Sequence, residues 1–310
     1  MTAAINTSMG TREWFMLIVL SILWGGSFFF VGVVVTELPP LTIVTFRVGF
    51  AAITLWCVVI ALRIPVPTTL KAWKAFLVMG LLNNVIPFAL IVWGQTFIAS
   101  GLASILNATT PFFGLIVATI FLPDERATIL KVIGVLIGFL GVVLMFGIPT
   151  ESHNTLAQLA ILAATLTYAF AGVYGRRFKA MAISPIVTAA GQVSGATLIL
   201  IPITYAVEGF PLIAEITSRT WLSLGSLALF STALAYILYF KILEKAGATN
   251  LLLVTLLVPI SAILLGSIFL NEVLEASHFT GMALIALGLS AIDGRLWKWS
   301  VRKLVNSDNN

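Results

Sequence analysis

The chain alternates between long apolar stretches and short polar connections. Ten stretches stand out, approximately at 14–35, 41–61, 75–97, 101–121, 129–147, 156–175, 186–207, 221–243, 249–270 and 278–295. A helix rises 1.5 Å per residue, so each stretch can cross most or all of ~30 Å of hydrocarbon. The alternating decamers of an outer-membrane barrel are absent, so helices are expected rather than strands. The expected fold class is an all-α polytopic membrane protein with ten transmembrane helices. The first stretch exceeds a signal h-region and lacks a small-residue cleavage site, so it reads as a retained span.

Composition agrees with the pattern. Hydrophobic residues make up 60% of 310 positions and charged residues 9%, against roughly 25% in soluble domains. If the loops are assigned alternately to two sides, fifteen of the 17 Lys and Arg fall on one side, Arg219 alone on the other, and Arg47 within a span. That bias predicts both termini on the cytoplasmic side and explains the basic balance without nucleic acid. Cys57 is the sole cysteine, which excludes an intrachain disulfide and a cysteine metal cluster. His153 and His278 fall in loops and read as surface residues, not metal ligands. No metal or cofactor is expected, and membrane lipid is the surrounding partner.

The chain also repeats itself with a shift of 144 to 148 residues. "PPLTIVTFRVGFA" matches "SPIVTAAGQVSGA", setting Arg47 on Gln192. "LNATTPFFGLIVATIFLPDE" matches "LLVTLLVPISAILLGSIFLNE", setting Asn107 on Thr255 and Pro111 on Pro259. Trp24 falls on Tyr168, Asn83-Asn84 on Ser231-Thr232, and Gly134 and Gly141 on Gly281 and Gly288. The expected division is 1–150 and 151–310, with five spans in each half. An odd number forces the second half to enter the membrane from the opposite side. Two such halves are related by a pseudo-two-fold axis in the membrane plane, an architecture of secondary transporters.

On these residues the sequence resembles the drug/metabolite transporter superfamily, specifically its EamA-type exporters. "LWGGSFFF" in span one, "PPLTIVTFR" entering span two and "NATTPFFGLIVATIFLPDE" through span four carry the resemblance, with "TYAFAGVYGRR" and "VTLLVPISAILLGSIFLNE" as second-half echoes. The resemblance implies two inverted five-helix repeats, a bacterial cytoplasmic (inner) membrane, and export of small metabolites such as amino acids, aromatic ones among them. "LPDE" and "LNEV" stand where many members carry Gly-Glu after spans four and nine. Asp124 or Glu125, and Glu272, are expected to take that role.

Candidate substrate-binding residues are the polar and aromatic side chains too deep to be interfacial. Trp24 and Tyr168 lie near midspan although such residues prefer the interfaces; a cavity lining and ordinary packing are both open. Ser27 and Phe28 follow Trp24 on span one. Asn83 and Asn84 must meet another helix or water, through interhelical hydrogen bonds or substrate. Asn107, Thr110 and Thr255 precede Pro111 and Pro259, prolines that free carbonyls and kink helices. Tyr236 and Tyr239 add aromatic wall. Arg47 lies seven residues past Pro40, roughly 10 Å inside the span end. It either clamps a neighbouring helix or faces a cavity and attracts a carboxylate, and Gln192 at the related position offers hydrogen bonds without charge. The glycines of spans five and ten suit close packing within the chain or a homodimer contact.

No Asp or Glu falls near midspan, which favours uniport or exchange by alternating access over proton-coupled antiport. A channel-like pore for small solutes is the other alternative. An enzyme is not expected: no HExxH, paired midspan aspartates or Ser–His arrangement is present.

Overall fold

The computed structural model describes residues 9–98, 100–146, 154–209, 216–270 and 276–293. His153 and Glu272 lie outside them. Among the described residues the secondary structure is helical. Seven helices are long and apolar enough to cross a membrane, and three shorter apolar helices accompany them, in the order of the ten expected spans.

Span one is α1 (Thr11–Val34) and span two is α2 (Pro40–Ala61). Span three is α3 (Leu70–Gly80) and α4 (Ile86–Gln95), joined by a π-helical turn at Leu81–Val85. Span four is α5 (Ser100–Asn107) and α6 (Thr110–Phe121), and span five is α7 (Ile129–Phe146). Span six is α8 (Thr155–Gly175), trailed by the short α9 (Arg177–Ala180), and span seven is α10 (Pro185–Val207). Span eight is α11 (Ser218–Ala228), a second π-helical turn at Leu229–Leu234, and the first part of α12 (Ala235–Leu252). Gly247 breaks α12 with φ 85° and ψ 176°, so its last turn opens span nine, which continues as α13 (Val254–Leu270). Span ten is α14 (Ala276–Asp293).

Local chemistry sets the starts. The side chains of Thr69, Asn154, Ser184 and Thr217 each accept a backbone N–H three residues on, and Pro40 and Pro185 open their helices where no N–H is needed. Outward faces are apolar, as in Phe15, Ile53, Leu140 and Leu198, because lipid rather than water surrounds them.

The packing follows the repeat. Spans two and seven pair (α2 with α10), as do spans five and ten (α7 with α14), while spans one and nine echo spans six and four. The glycines of spans five and ten face one another within the chain. A Cβ on Gly134 would meet the Gly288 carbonyl at 2.6 Å, and one on Gly141 the Gly281 carbonyl at 2.6 Å. The fold is thus two five-helix repeats of opposite orientation. We call the side carrying the start of α1 the terminal face and the other side the opposite face.

The kinks depart from expectation in one place. The break in span four, at Ala108–Thr109, directly precedes Pro111. Pro259 instead lies inside α13, and the break in span nine comes earlier, at Leu253.

Candidate functional site

The π-helical turns sit where polar side chains must be presented in mid-bundle. A π turn widens the helix by one residue and re-aims the side chains beyond it. In span three it directs Asn83 and Asn84 inward; in span eight it does the same for Ser231 and Thr232, and all four are buried. Each turn is met by the second span of the other repeat. Arg47 donates Nε to Thr232 Oγ1 at 2.8 Å and Nη2 to the Ser231 carbonyl at 3.3 Å. Reciprocally, Asn83 donates Nδ2 to Gln192 Oε1 at 3.1 Å. The aligned pairs Arg47/Gln192 and Asn83-Asn84/Ser231-Thr232 therefore meet crosswise, as a two-fold relation requires.

The two crossings differ in what else they touch. On one side Asn84 donates Nδ2 to the Tyr236 hydroxyl at 2.8 Å, which itself donates to the Asn83 carbonyl at 3.0 Å. Asn83, Asn84, Gln192 and Tyr236 are thereby spent on interhelical bonding. None of them lines the cavity beside Arg47, and Asn84 Oδ1 and Gln192 Nε2 stay without a hydrogen-bond partner. On the other side Arg47 lies on the wall of a cavity with about 610 Å³ of empty space, its mouth included.

That cavity gathers Trp24, Ser27 and Phe28 from α1, Asn107 and Thr110 from span four, Tyr168 from α8, Tyr239 from α12 and Thr255 from α13. Pro111 and Pro259 are not on its wall. Phe88, Gln95 and Leu252 join the lining, three positions that sequence reasoning does not single out. Gln95 ends its span, where a polar residue reads as interfacial, yet it is only 8% exposed and donates Nε2 to the Phe28 carbonyl at 3.4 Å. The cavity extends from mid-bundle toward the opposite face, where Val31 and Gln95 line it.

Its electrostatics are lopsided. Arg47 is 5% exposed and its guanidinium carbon sits 3.8 Å from the Phe88 ring centre. Among the described residues no carboxylate lines the cavity, and the salt bridges found all use Arg176. A buried cation facing aromatic walls without an acidic partner attracts an anionic group. Three lining atoms, Gln95 Oε1, Asn107 Oδ1 and the Tyr239 hydroxyl, are buried without a hydrogen-bond partner. An unpaired buried polar atom costs about 1–3 kcal/mol, so the site is chemically unfinished when empty. Trp24 and Tyr239 pack with ring centres 6.0 Å apart and form its floor.

Toward the terminal face the bundle is closed by carboxylates. Glu125, 1% exposed, accepts the N–H groups of Ala248 at 3.0 Å and Thr249 at 2.7 Å, the two residues after the Gly247 break. Arg176 bridges it at 3.1 Å and also binds Asp124 in a fork at 2.8 and 2.5 Å. Hydrogen bonding from Arg176 holds the Asp124 carboxyl below its ordinary range. Of the two acidic residues after span four, Glu125 therefore takes the buried role. On the opposite face Glu208 accepts the Leu41 and Thr42 N–H groups at 2.9 and 2.8 Å. Glu37 is held below its ordinary range by hydrogen bonds from Thr217.

Comparison with known proteins bears on the family and the fold. The EamA-like transporter family matches twice, over residues 12–147 and 155–292. An uncharacterized transporter of Archaeoglobus fulgidus is 28% identical over 288 residues, 90% of this chain and 97% of its own. The uncharacterized transporter YoaV of Bacillus subtilis is 24% identical over 88% of this chain and 94% of its own. The uncharacterized inner membrane transporter YedA of Escherichia coli K12 is 26% identical, covering 88% of each chain. A protein of known crystal structure shares the fold with a TM-score of 0.73 at 19% identity, covering 93% of this chain and 98% of that one. The two family matches span most of the chain, and the protein is a membrane transporter belonging to the EamA-like family of the drug/metabolite transporter superfamily.

Proposed function

We propose that the protein exports small metabolites, amphipathic amino acids foremost and aromatic ones among them, by alternating access as a uniporter or exchanger. The observation that carries this reading is the cavity wall. Arg47 suits a carboxylate, the unpartnered carbonyl oxygens of Gln95 and Asn107 suit an ammonium, and Trp24, Phe88 and Tyr168 suit an apolar body. No cavity carboxylate is found among the described residues, which favours uniport or exchange over proton coupling. We place both termini in the cytoplasm, on the charge bias, and the chain in a bacterial inner membrane. The cavity then extends toward the exterior, and Glu125 and Arg176 close the cytoplasmic side.

Counterflow in proteoliposomes tests the reading. Vesicles loaded with unlabelled amino acid should take up the labelled one saturably and faster than empty vesicles, without a pH gradient. Uptake that requires a proton gradient would replace exchange by antiport. Non-saturating flux with large unitary currents would make the protein a channel.

A further inference from the structure

A second site lies outside the cavity, on the lipid-facing surface near the terminal face. Spans three and six run side by side: α4 packs along α8, whereas α3 only touches it. The two spans therefore splay toward the terminal face and leave a broad groove between α3 and the α8–α9 junction, about 1210 Å³ with its open side included. Lys71 and Lys74 enter it from α3, and Arg177 from the junction. These three cations come from segments about a hundred residues apart in sequence, and no acidic residue lines the groove with them. Among the described residues none of the three forms a salt bridge. Arg177 is held in place, its guanidinium carbon 3.2 Å from the Tyr174 ring centre and its Nε donating to the Tyr174 carbonyl at 3.2 Å.

The surface beyond the cations separates this groove from an ordinary basic patch. On α3 the wall continues toward mid-bundle as exposed Leu77 and Val78. On α8 the stripe that ends in Tyr174 and Arg177 begins beyond the groove with exposed Leu166 and with Phe170, whose ring also packs on Phe121 of span four at 6.1 Å. A water-filled vestibule would not be walled by exposed apolar side chains at this depth. A charged end at the membrane surface and an apolar track descending from it match one ligand, an amphiphile with an anionic head. Basic pockets between membrane helices bind anionic head groups on this principle.

We propose that this groove is a binding site for an anionic phospholipid. Lys71, Lys74 and Arg177 hold the phosphate-bearing head, and an acyl chain lies between the exposed faces of α3 and α8. The site is independent of the substrate assigned to the cavity. Each cation near an anionic head contributes roughly a fivefold gain in affinity, so losing three should cost on the order of a hundredfold.

Native mass spectrometry of the purified protein with dioleoylphosphatidylglycerol and dioleoylphosphatidylcholine tests it, with thermal unfolding in the same mixtures as a second readout. Phosphatidylglycerol should bind in preference and raise the melting temperature; inorganic phosphate alone should do neither. The triple variant Lys71→Gln, Lys74→Gln, Arg177→Gln should lose that preference. A control of equal charge change at exposed positions elsewhere, Arg12→Gln, Arg126→Gln, Lys245→Gln, should keep it. Lys74→Gln alone, at an exposed position, should weaken binding about fivefold and supplies the answer if the triple variant does not fold. Equal loss in both triple variants, or no preference between the two lipids, would overturn the proposal. Competition by inorganic phosphate would reassign the groove to a soluble anion.

Discussion

Glu125→Gln removes one charge from a side chain that is 1% exposed and changes its size little. The carboxylate serves three donors: Ala248 N–H at 3.0 Å, Thr249 N–H at 2.7 Å and Arg176 Nη1 at 3.1 Å. An amide has one oxygen, so it can serve one backbone N–H while its own NH₂ confronts the other. A hydrogen bond to a charged group contributes about 1.5–3 kcal/mol, and a buried donor left unpaired costs about 1–3 kcal/mol. Asp124 keeps its grip on Arg176 and limits the damage, so the closed terminal face should lose about 3 kcal/mol. At 1.4 kcal/mol per tenfold, that moves the balance between closed and open forms by roughly a hundredfold. The assay uses a Cys57→Ser background with Ala246→Cys, a position 1% exposed beside the Gly247 break. A membrane-impermeant thiol reagent applied to the terminal face should label this position one to two orders of magnitude faster in Glu125→Gln. Asp124→Asn, which touches the solvent-exposed half of the cluster, should change the rate by less than about fivefold, as exposed pairs contribute at most ~1 kcal/mol. An unchanged rate in Glu125→Gln would refute the idea that this carboxylate holds the start of span nine.

Three further outcomes are expected. Arg47→Lys and Arg47→Gln should both lose about 1.5–3 kcal/mol of stability in thermal unfolding, because neither reproduces the bond to Thr232 together with stacking on Phe88. Uptake should be partly retained by Lys and lost further by Gln; full stability of Arg47→Gln would reject the clamp. Tyr239→Phe removes a buried hydroxyl with no partner. Its melting temperature should therefore hold or rise while substrate affinity falls about five- to tenfold, as one hydrogen bond is lost. The lowered pKa of Asp124 makes its contribution fully present above the ordinary carboxylate range and lost as pH falls through the lowered value. Acid titration of Ala246→Cys labelling below about pH 4 should show a step that Asp124→Asn reduces.

The helices and the crossed contacts of the two halves are legible in the sequence because they rest on spacing. Setting Arg47 on Gln192 and Asn83-Asn84 on Ser231-Thr232 already contains the pairs that meet. Spacing does not say which crossing faces the cavity, and the Tyr236 hydroxyl, which bonds the Asn84 amide and the Asn83 backbone carbonyl, is present on one side alone. Gln95 is hidden from a sequence reading because its burial comes from the approach of α1, not from its own neighbours in the chain. Glu125 reads as a loop residue for the same reason: its partners Ala248 and Thr249 lie in the other repeat. Gly247 is visible as a glycine between two spans, but not that one residue makes the entire reversal. That geometry needs φ near 85°, which glycine adopts without the penalty a Cβ brings.

The contact between α7 and α14 bears on how such a chain arises. Gly134 approaches the Gly288 carbonyl and Gly141 approaches that of Gly281, and the repeat sets Gly134 on Gly281 and Gly141 on Gly288. Exchanging the two halves turns the first approach into the second. This is the self-complementary signature of an isologous interface between identical subunits. A five-helix polypeptide inserted in both orientations would meet its twin through this surface, with no need for a linker. Fusing two such copies would add a tether to an interface already present and would free each copy to differ, as the aligned positions 47 and 192 differ in carrying arginine and glutamine.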